Sequence, residues 1–132
     1  MPQQWRAFTL AQSRLKTLEI LRRPGTYERL DRLSQIVAEG WLAEAKVLGI
    51  PACVNRVGSM FTLFFQDGPV TDYTSAKRSD LQRFGAFFRG MRARGVSLPP
   101  SQYEAAFLSA AHTEADVDAT VAAADEALAA SA

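Results

Sequence analysis

Residues 98–112 read LPPSQYEAAFLSAAH and bring near each other in sequence two side chains suited to proton transfer, Glu104 and the chain's single histidine, His112. A carboxylate beside an imidazole makes a general acid–base pair. The spacing argues against one here. Eight residues of extended chain, at about 3.3 Å each, put the two roughly 26 Å apart unless the chain doubles back. The remaining nucleophiles are isolated. Cys53 lies in PACVNRV with no adjacent base, so a small side chain in a strand is its expected role. A Ser-His-Asp triad would have to use His112, and no strand–turn–helix serine elbow is present. One histidine and one cysteine do not make a transition-metal centre. RVGSM has no helix N-terminus after it to receive a phosphate. Lys16, Lys46 and Lys77 are the only lysines. Two fall on helices among charges and one in a polar loop, without the desolvation that activates an amine for Schiff-base chemistry.

The elements that carry these residues follow from periodicity and punctuation. Trp5, Phe8 and Leu10 open the chain without a clear start signal, and Leu15, Leu18, Ile20 and Leu21 predict a helix over 10–22. Pro24-Gly25 stops it. Thr26 is expected to cap a second helix whose inner face is Leu30, Leu33, Val37, Trp41, Ala45 and Leu48, in steps of three and four. Gly49 and Pro51 end it. Two β-prone runs, 52–57 and 60–65, flank Gly58-Ser59, which suits a type II′ hairpin turn. DGPVTDYTSAKR reads as a polar loop. Ser79 and Gln82 form a capping-box pattern for a helix with an expected stripe of Leu81, Phe84, Phe88 and Met91, ended by Gly95. Gly85 and Gly90 weaken that helix by about 1 kcal/mol each relative to Ala, which calls for another element in close approach. AAFLSAA reads as a short buried strand, and Thr113 as the cap of a last helix facing inward through Val117, Val121, Ala124 and Leu128.

Helix, helix, strand, strand, helix, strand, helix is the order of an α+β two-layer sandwich: a small antiparallel sheet of about three strands with helices on one face. The other sheet face would carry alternate residues of MFTLFF and AAFLSAA, and an uncovered apolar face marks an interface. At 132 residues, 48% apolar and 22% charged, the chain can bury a core. Its 15 basic and 14 acidic residues leave a net charge of +1, which gives no electrostatic reason to expect nucleic acid or an anionic membrane. Arg78, Arg83, Arg89, Arg92 and Arg94 cluster at helical spacing and read as a solvated helix face. No apolar run reaches the ~20 residues of a membrane span, and MPQQWRAFTLAQSR lacks the form of a signal peptide. A single cysteine excludes an internal disulfide and fits a reducing compartment, so the expected location is cytoplasmic.

Longer stretches carry more specific information. LKTLEILRRPGTYERLDRL, GSMFTLFF, DGPVTDY, AKRSDLQRF, PPSQYEAAF and AAHTEAD occur in the order and spacing of the C-terminal part of the glutamate-1-semialdehyde 2,1-aminomutase family, which the chain closely resembles from about Leu15 to Leu128. The family is class III aminotransferase-like, of fold-type I, and uses pyridoxal phosphate (PLP) on a homodimer to convert glutamate-1-semialdehyde to 5-aminolevulinate for tetrapyrrole synthesis. The resemblance implies a divergent start over 1–14 and an aminotransferase-type small domain over 15–132, that is, an excised or truncated domain. It implies that the cofactor lysine, phosphate loop and pyridine-nitrogen aspartate belong to a large domain upstream, and that Lys16, Lys46 and Lys77 do not correspond to that lysine. No cofactor is expected on this chain alone, and turnover is not expected. Glu104 matches an active-site glutamate that the small domain contributes near substrate, and Ser101 and Gln102 share its turn. A structural turn carboxylate is the alternative for Glu104. The expected partner is the missing large domain, or a second copy through the apolar sheet face. The alternatives in function are a non-catalytic self-associating module and the small domain of another class III aminotransferase.

Overall fold

The computed structural model describes residues 3–131, with side-chain environments from residue 9 onward; Trp5 and Phe8 therefore lie outside the described side chains. Helix α1 spans Gln3–Leu21, starting seven residues before the periodicity indicated. Leu10, Leu15 and Leu18 on it are each more than half exposed. Gly25, at φ +82°, turns the chain into α2, Thr26–Val47. Here one expectation fails. Gly25 itself occupies the cap position, so Thr26 is already helical, and its Oγ1 donates back to Ile20 O at 3.1 Å. The inner face of α2 is as the spacing predicts, with Leu30, Leu33, Val37, Trp41 and Ala45 buried. Its end is a Schellman motif: Ile50 N donates to Ala45 O and Gly49 N to Lys46 O, with Gly49 at φ +67°.

Strands β1, Cys53–Val57, and β2, Met60–Phe64, form the expected hairpin with Val57 opposite Met60. Gly58 has φ +55° while Ser59 is not in the positive region, the pattern of a type II′ turn. The polar loop that follows holds a short helix that the periodicity did not reveal, α3, Tyr73–Ala76. It is too brief for an apolar stripe and is held by a capping box between Asp72 and Ser75. Helix α4 spans Leu81–Ala93. Asp80, not Ser79, is its cap, accepting from Arg83 N at 2.9 Å. Ser79 is buried and accepts from Gln66 Nε2 instead. The inward stripe also differs: Phe87 and Met91 are core, Phe84 and Phe88 are half-buried, and Leu81 is 51% exposed. Strand β3 is only Ala106–Phe107, antiparallel to β2, and Phe107 is exposed. AAFLSAA is therefore not a buried strand. Past Leu108, whose N donates to Ser59 O, the chain leaves the sheet in turns that lead to α5, Glu114–Ala129. Thr113 caps α5 as expected, and the structure adds a reciprocal box with Asp116.

The architecture is the expected α+β sandwich, with a three-stranded antiparallel sheet in the order β1-β2-β3. Phe61, Leu63 and Phe65 point from the sheet into the core shared with α2, α4 and α5. Trp41 and Phe87 join the layers: Trp41 meets Phe61 and Phe87 edge-on, each at 5.5 Å, and Phe87 meets Phe65 at 5.6 Å. Burying a side chain of this kind contributes about 1.5–3 kcal/mol. Glycines set the helix spacing. A Cβ on Gly40 would lie 2.8 Å from Val121 on α5, and one on Gly90 2.9 Å from Ala127 Cβ. The close approach expected for α4 is found at Gly90. At Gly85 the nearest such atom is the flexible Arg89 Nη1 at 3.3 Å. The outer sheet face is partly covered: Phe64, Val70 and Ala76 form a small second cluster with Cys53 against it. Val57, Met60 and Phe107 on that side remain exposed.

Candidate active-site turn

The segment from Val96 to Thr113 carries Ser101, Gln102, Glu104 and His112 between α4 and α5. A second Schellman motif launches it, with Val96 N donating to Met91 O and Gly95 N to Arg92 O. Pro99 and Pro100 cannot donate to a sheet or helix, and the chain folds into a tight turn at Ser101–Glu104. Ser101 O accepts from Glu104 N, Ser101 N donates to Glu104 Oε2, and Ser101 Oγ accepts from Tyr103 N, each at 3.2 Å. The turn is tied to β2 from two sides. Gln102, 2% exposed, donates from Nε2 to Leu63 O at 2.6 Å. Thr62 Oγ1 donates to Glu104 O at 3.3 Å.

The structure thus brings Ser101, Gln102 and Glu104 together, with different placements. Glu104 is exposed, Ser101 half-buried, and Gln102 inside the protein. His112 is not with them. Its Nδ1 accepts from Ser109 N at 2.9 Å, and its carbonyl accepts from Arg29 Nη2 at 2.7 Å. Glu104 and His112 are committed to different turns, and no hydrogen bond joins them among the described residues. His112 is the connector into the α5 N-terminus that the spacing implies.

Glu104 and Ser101 border a cavity of about 20 Å³ that reaches the core at Trp41, Phe61 and Phe87, with Leu98 and Pro99 on its other side. Sequence reasoning missed Trp41 and Thr62 as neighbours of the turn. Thr62 carried a signal, being the one polar residue within MFTLFF. Trp41 carried none, since its spacing on α2 is that of any core residue.

Electrostatics elsewhere is local. Burial pushes the Cys53 thiol up, reinforced by Asp67, which keeps it in the unreactive protonated form. The hydrogen bond from Arg32 holds the Glu114 carboxyl below its usual range, and the backbone N–H of Thr113 does the same for Asp116. The lysines are all exposed. Lys16 pairs with Glu19 at 2.8 Å, and Lys77 Nζ lies 5.2 Å from the Tyr73 ring centre. Among the described residues no group of His, Cys, Asp and Glu has the arrangement of a metal site, and no helix is long and apolar enough to cross a membrane.

No protein-family model matches the chain. Curated relatives do. The glutamate-1-semialdehyde 2,1-aminomutase of Desulfitobacterium hafniense (strain DSM 10664 / DCB-2) is 55% identical over 107 residues, covering 81% of this chain and 25% of that protein. The enzyme of the same name from Desulfatibacillum aliphaticivorans is 52% identical over 114 residues, covering 86% and 27%. The chain spans about a quarter of the length of these relatives. Among solved structures, an omega-transaminase from Sphaerobacter thermophilus superposes with a TM-score of 0.74 at 26% identity, over 83% of this chain and 25% of that one. The FumI protein of Sphingopyxis sp. MTA144, solved in its PLP internal aldimine form, gives 0.69 at 29% identity, over 88% and 25%. The chain is thus homologous to a quarter-length segment of the glutamate-1-semialdehyde 2,1-aminomutases and carries the α+β fold of the C-terminal domain of PLP-dependent transferases.

Proposed function

We propose that this chain is the C-terminal small domain, over residues 15–132, of a PLP-dependent enzyme that converts glutamate-1-semialdehyde to 5-aminolevulinate in the cytoplasm, preceded by a divergent start over 1–14. The identity of 55% over 107 residues to an aminomutase carries this reading. PLP, when bound, supplies the electron sink for moving an amino group. The described residues do not fit its attachment. A Schiff-base lysine needs desolvation or a neighbouring cation, and Lys16, Lys46 and Lys77 are all exposed on the surface. The cofactor site is therefore assigned to a large domain that docks with this one. The share of this chain is Glu104, an exposed carboxylate able to make charge-assisted hydrogen bonds to a substrate ammonium. Ser101 holds its Oε2 through the backbone N–H, and buried Gln102 fixes the turn to β2.

The test is a chimera in which residues 15–132 replace the corresponding segment of the Desulfitobacterium hafniense enzyme, assayed for 5-aminolevulinate formation. The chimera should turn over, and Glu104→Gln should lower kcat by about a hundredfold. A chimera that folds, binds PLP and does not turn over overturns the proposal. A second reading, a self-associating module without catalysis, draws support from Val57, Met60 and Phe107 exposed together on the outer sheet face. Sedimentation that shows a stable dimer of the isolated chain, lost in Phe107→Ser, would favour it.

A further inference from the structure

Two buried side-chain atoms at or near the turn have no partner among the described residues, Gln102 Oε1 and Trp41 Nε1. Trp41 is 2% exposed, and its Nε1 makes no hydrogen bond among the described residues. The indole cannot rotate to find one, because Phe61 and Phe87 pack edge-on against it at 5.5 Å. A buried donor of this kind is normally satisfied by protein or by an ordered water. Trp41 forms part of the wall of the cavity of about 20 Å³ that Thr62, Ser101 and Glu104 also border. That volume suffices for one water, which needs two or more polar partners to stay. Glu104 offers one. Its Oε2 accepts from Ser101 N, which leaves Oε1 uncommitted.

We propose that a single ordered water in this cavity accepts the Trp41 Nε1–H and donates to Glu104 Oε1, which makes Trp41 a positioning residue for the Glu104 carboxylate. With Oε2 held by Ser101 N and Oε1 held by the water, the carboxylate is fixed in one rotamer. Thr62 and Ser101 border the same cavity. The functional weight of this bridge rests on Glu104 facing substrate; the water itself does not.

The experiment is NMR on the uniformly 15N-labelled chain, reading water cross-relaxation at the Trp41 Hε1 resonance, with Trp41→Phe used to assign that peak. A cross-peak from a long-lived water is expected in the wild type and in Glu104→Gln, whose amide oxygen still accepts. It should be lost in Glu104→Ala, whose dispersed amide spectrum verifies the fold. In Trp41→Phe the Ser101 amide, freed from a restrained carboxylate, should exchange up to about tenfold faster than in the wild type, relative to core amides. Absence of the cross-peak in the wild type, or its persistence unchanged in Glu104→Ala, overturns the bridge. The outcome is independent of the chimera assay: an inactive chimera leaves the water peak where it is, and a missing peak leaves chimera turnover as it was.

Discussion

Gly85 and Gly90 lie on one helix, five residues apart, and the same substitution should change stability in opposite directions at the two. Alanine in a helix interior is favoured over glycine by about 0.8–1 kcal/mol. At Gly85 the new Cβ meets only Arg89 Nη1 at 3.3 Å, the end of a flexible side chain that can swing aside. Gly85→Ala should therefore stabilise by about 0.5–1 kcal/mol. At Gly90 the new Cβ meets Ala127 Cβ at 2.9 Å and Ala127 Cα at 3.2 Å. Neither atom can move without α5 moving. Ordinary contact begins at 3.4 Å, so α4 and α5 must part by several tenths of an ångström along a seam that includes Phe87, Met91 and Leu128. Overpacking of this kind costs about 1–3 kcal/mol. It outweighs the propensity gain, and Gly90→Ala should destabilise by about 1–2 kcal/mol net. In urea the two midpoints should differ by about 1 M, for a slope near 1.5–2 kcal/mol/M. Ala127→Gly in the Gly90→Ala background should show a favourable coupling of about 1 kcal/mol or more in a double-mutant cycle. Equal midpoints for the two alanine variants, or a coupling within error of zero, would refute the claim that Gly90 sets the α4–α5 distance.

Three further outcomes follow from the same structure. Phe87→Ala, at the junction of sheet and helices, should cost about 3–5 kcal/mol, while Leu81→Ala on the exposed side of α4 should stay within about 0.5 kcal/mol by urea unfolding. Stability should fall as pH drops through and below the ordinary carboxylate range near 4. Asp72, Glu114 and Asp116 are held low by Ser75, Arg32 and Thr113 respectively, so the unfolded chain takes up protons first, and stability present above that range is lost below it. Asp116→Asn should flatten the loss in a pH series of thermal melts, and an unaltered slope would count against the cap's contribution. The isolated chain incubated with PLP and borohydride should show no preferential label on Lys16, Lys46 or Lys77 by peptide mapping; a stoichiometric label on one of them would contradict its solvated placement.

The large elements were legible because each rests on a signal that tertiary structure rarely overrides. The Leu30-to-Leu48 spacing fixed α2, Gly49 and Gly95 fixed two helix ends, and Gly58-Ser59 fixed the hairpin. The errors share a physical cause: neighbouring residues compete for one structural role. Thr26 lost the cap to Gly25 because the left-handed turn already ended there, and Ser79 lost it to Asp80 because Gln66 drew its hydroxyl into the interior. The inward face of α4 runs through Phe87 and Met91, and Leu81 is exposed. AAFLSAA has the composition of a buried strand, yet only Ala106 and Phe107 pair with β2, since the prolines before them and the Ser109–His112 turn after them leave little room. For the site, sequence placed Glu104 and Ser101 on one turn. The inward course of Gln102 and the nearness of Trp41 depend on packing between segments sixty residues apart in the chain, which no local pattern encodes.

The segment that carries Glu104, from Val96 to Thr113, is held to the sheet by Gln102 to Leu63 O, Thr62 to Glu104 O and Leu108 N to Ser59 O, and to α2 by Arg29 to His112 O. All four of those acceptors are main-chain carbonyls, which every sequence supplies. The heaviest burial lies elsewhere, in Trp41, Phe87, Leu33 and Met91. Residues that could alter chemistry and residues that secure the fold are thus largely separate sets. Exposed positions such as Tyr103 and Glu104 can be exchanged at little cost to the global free energy. A domain built this way can change what its turn recognises while the scaffold beneath stays the same.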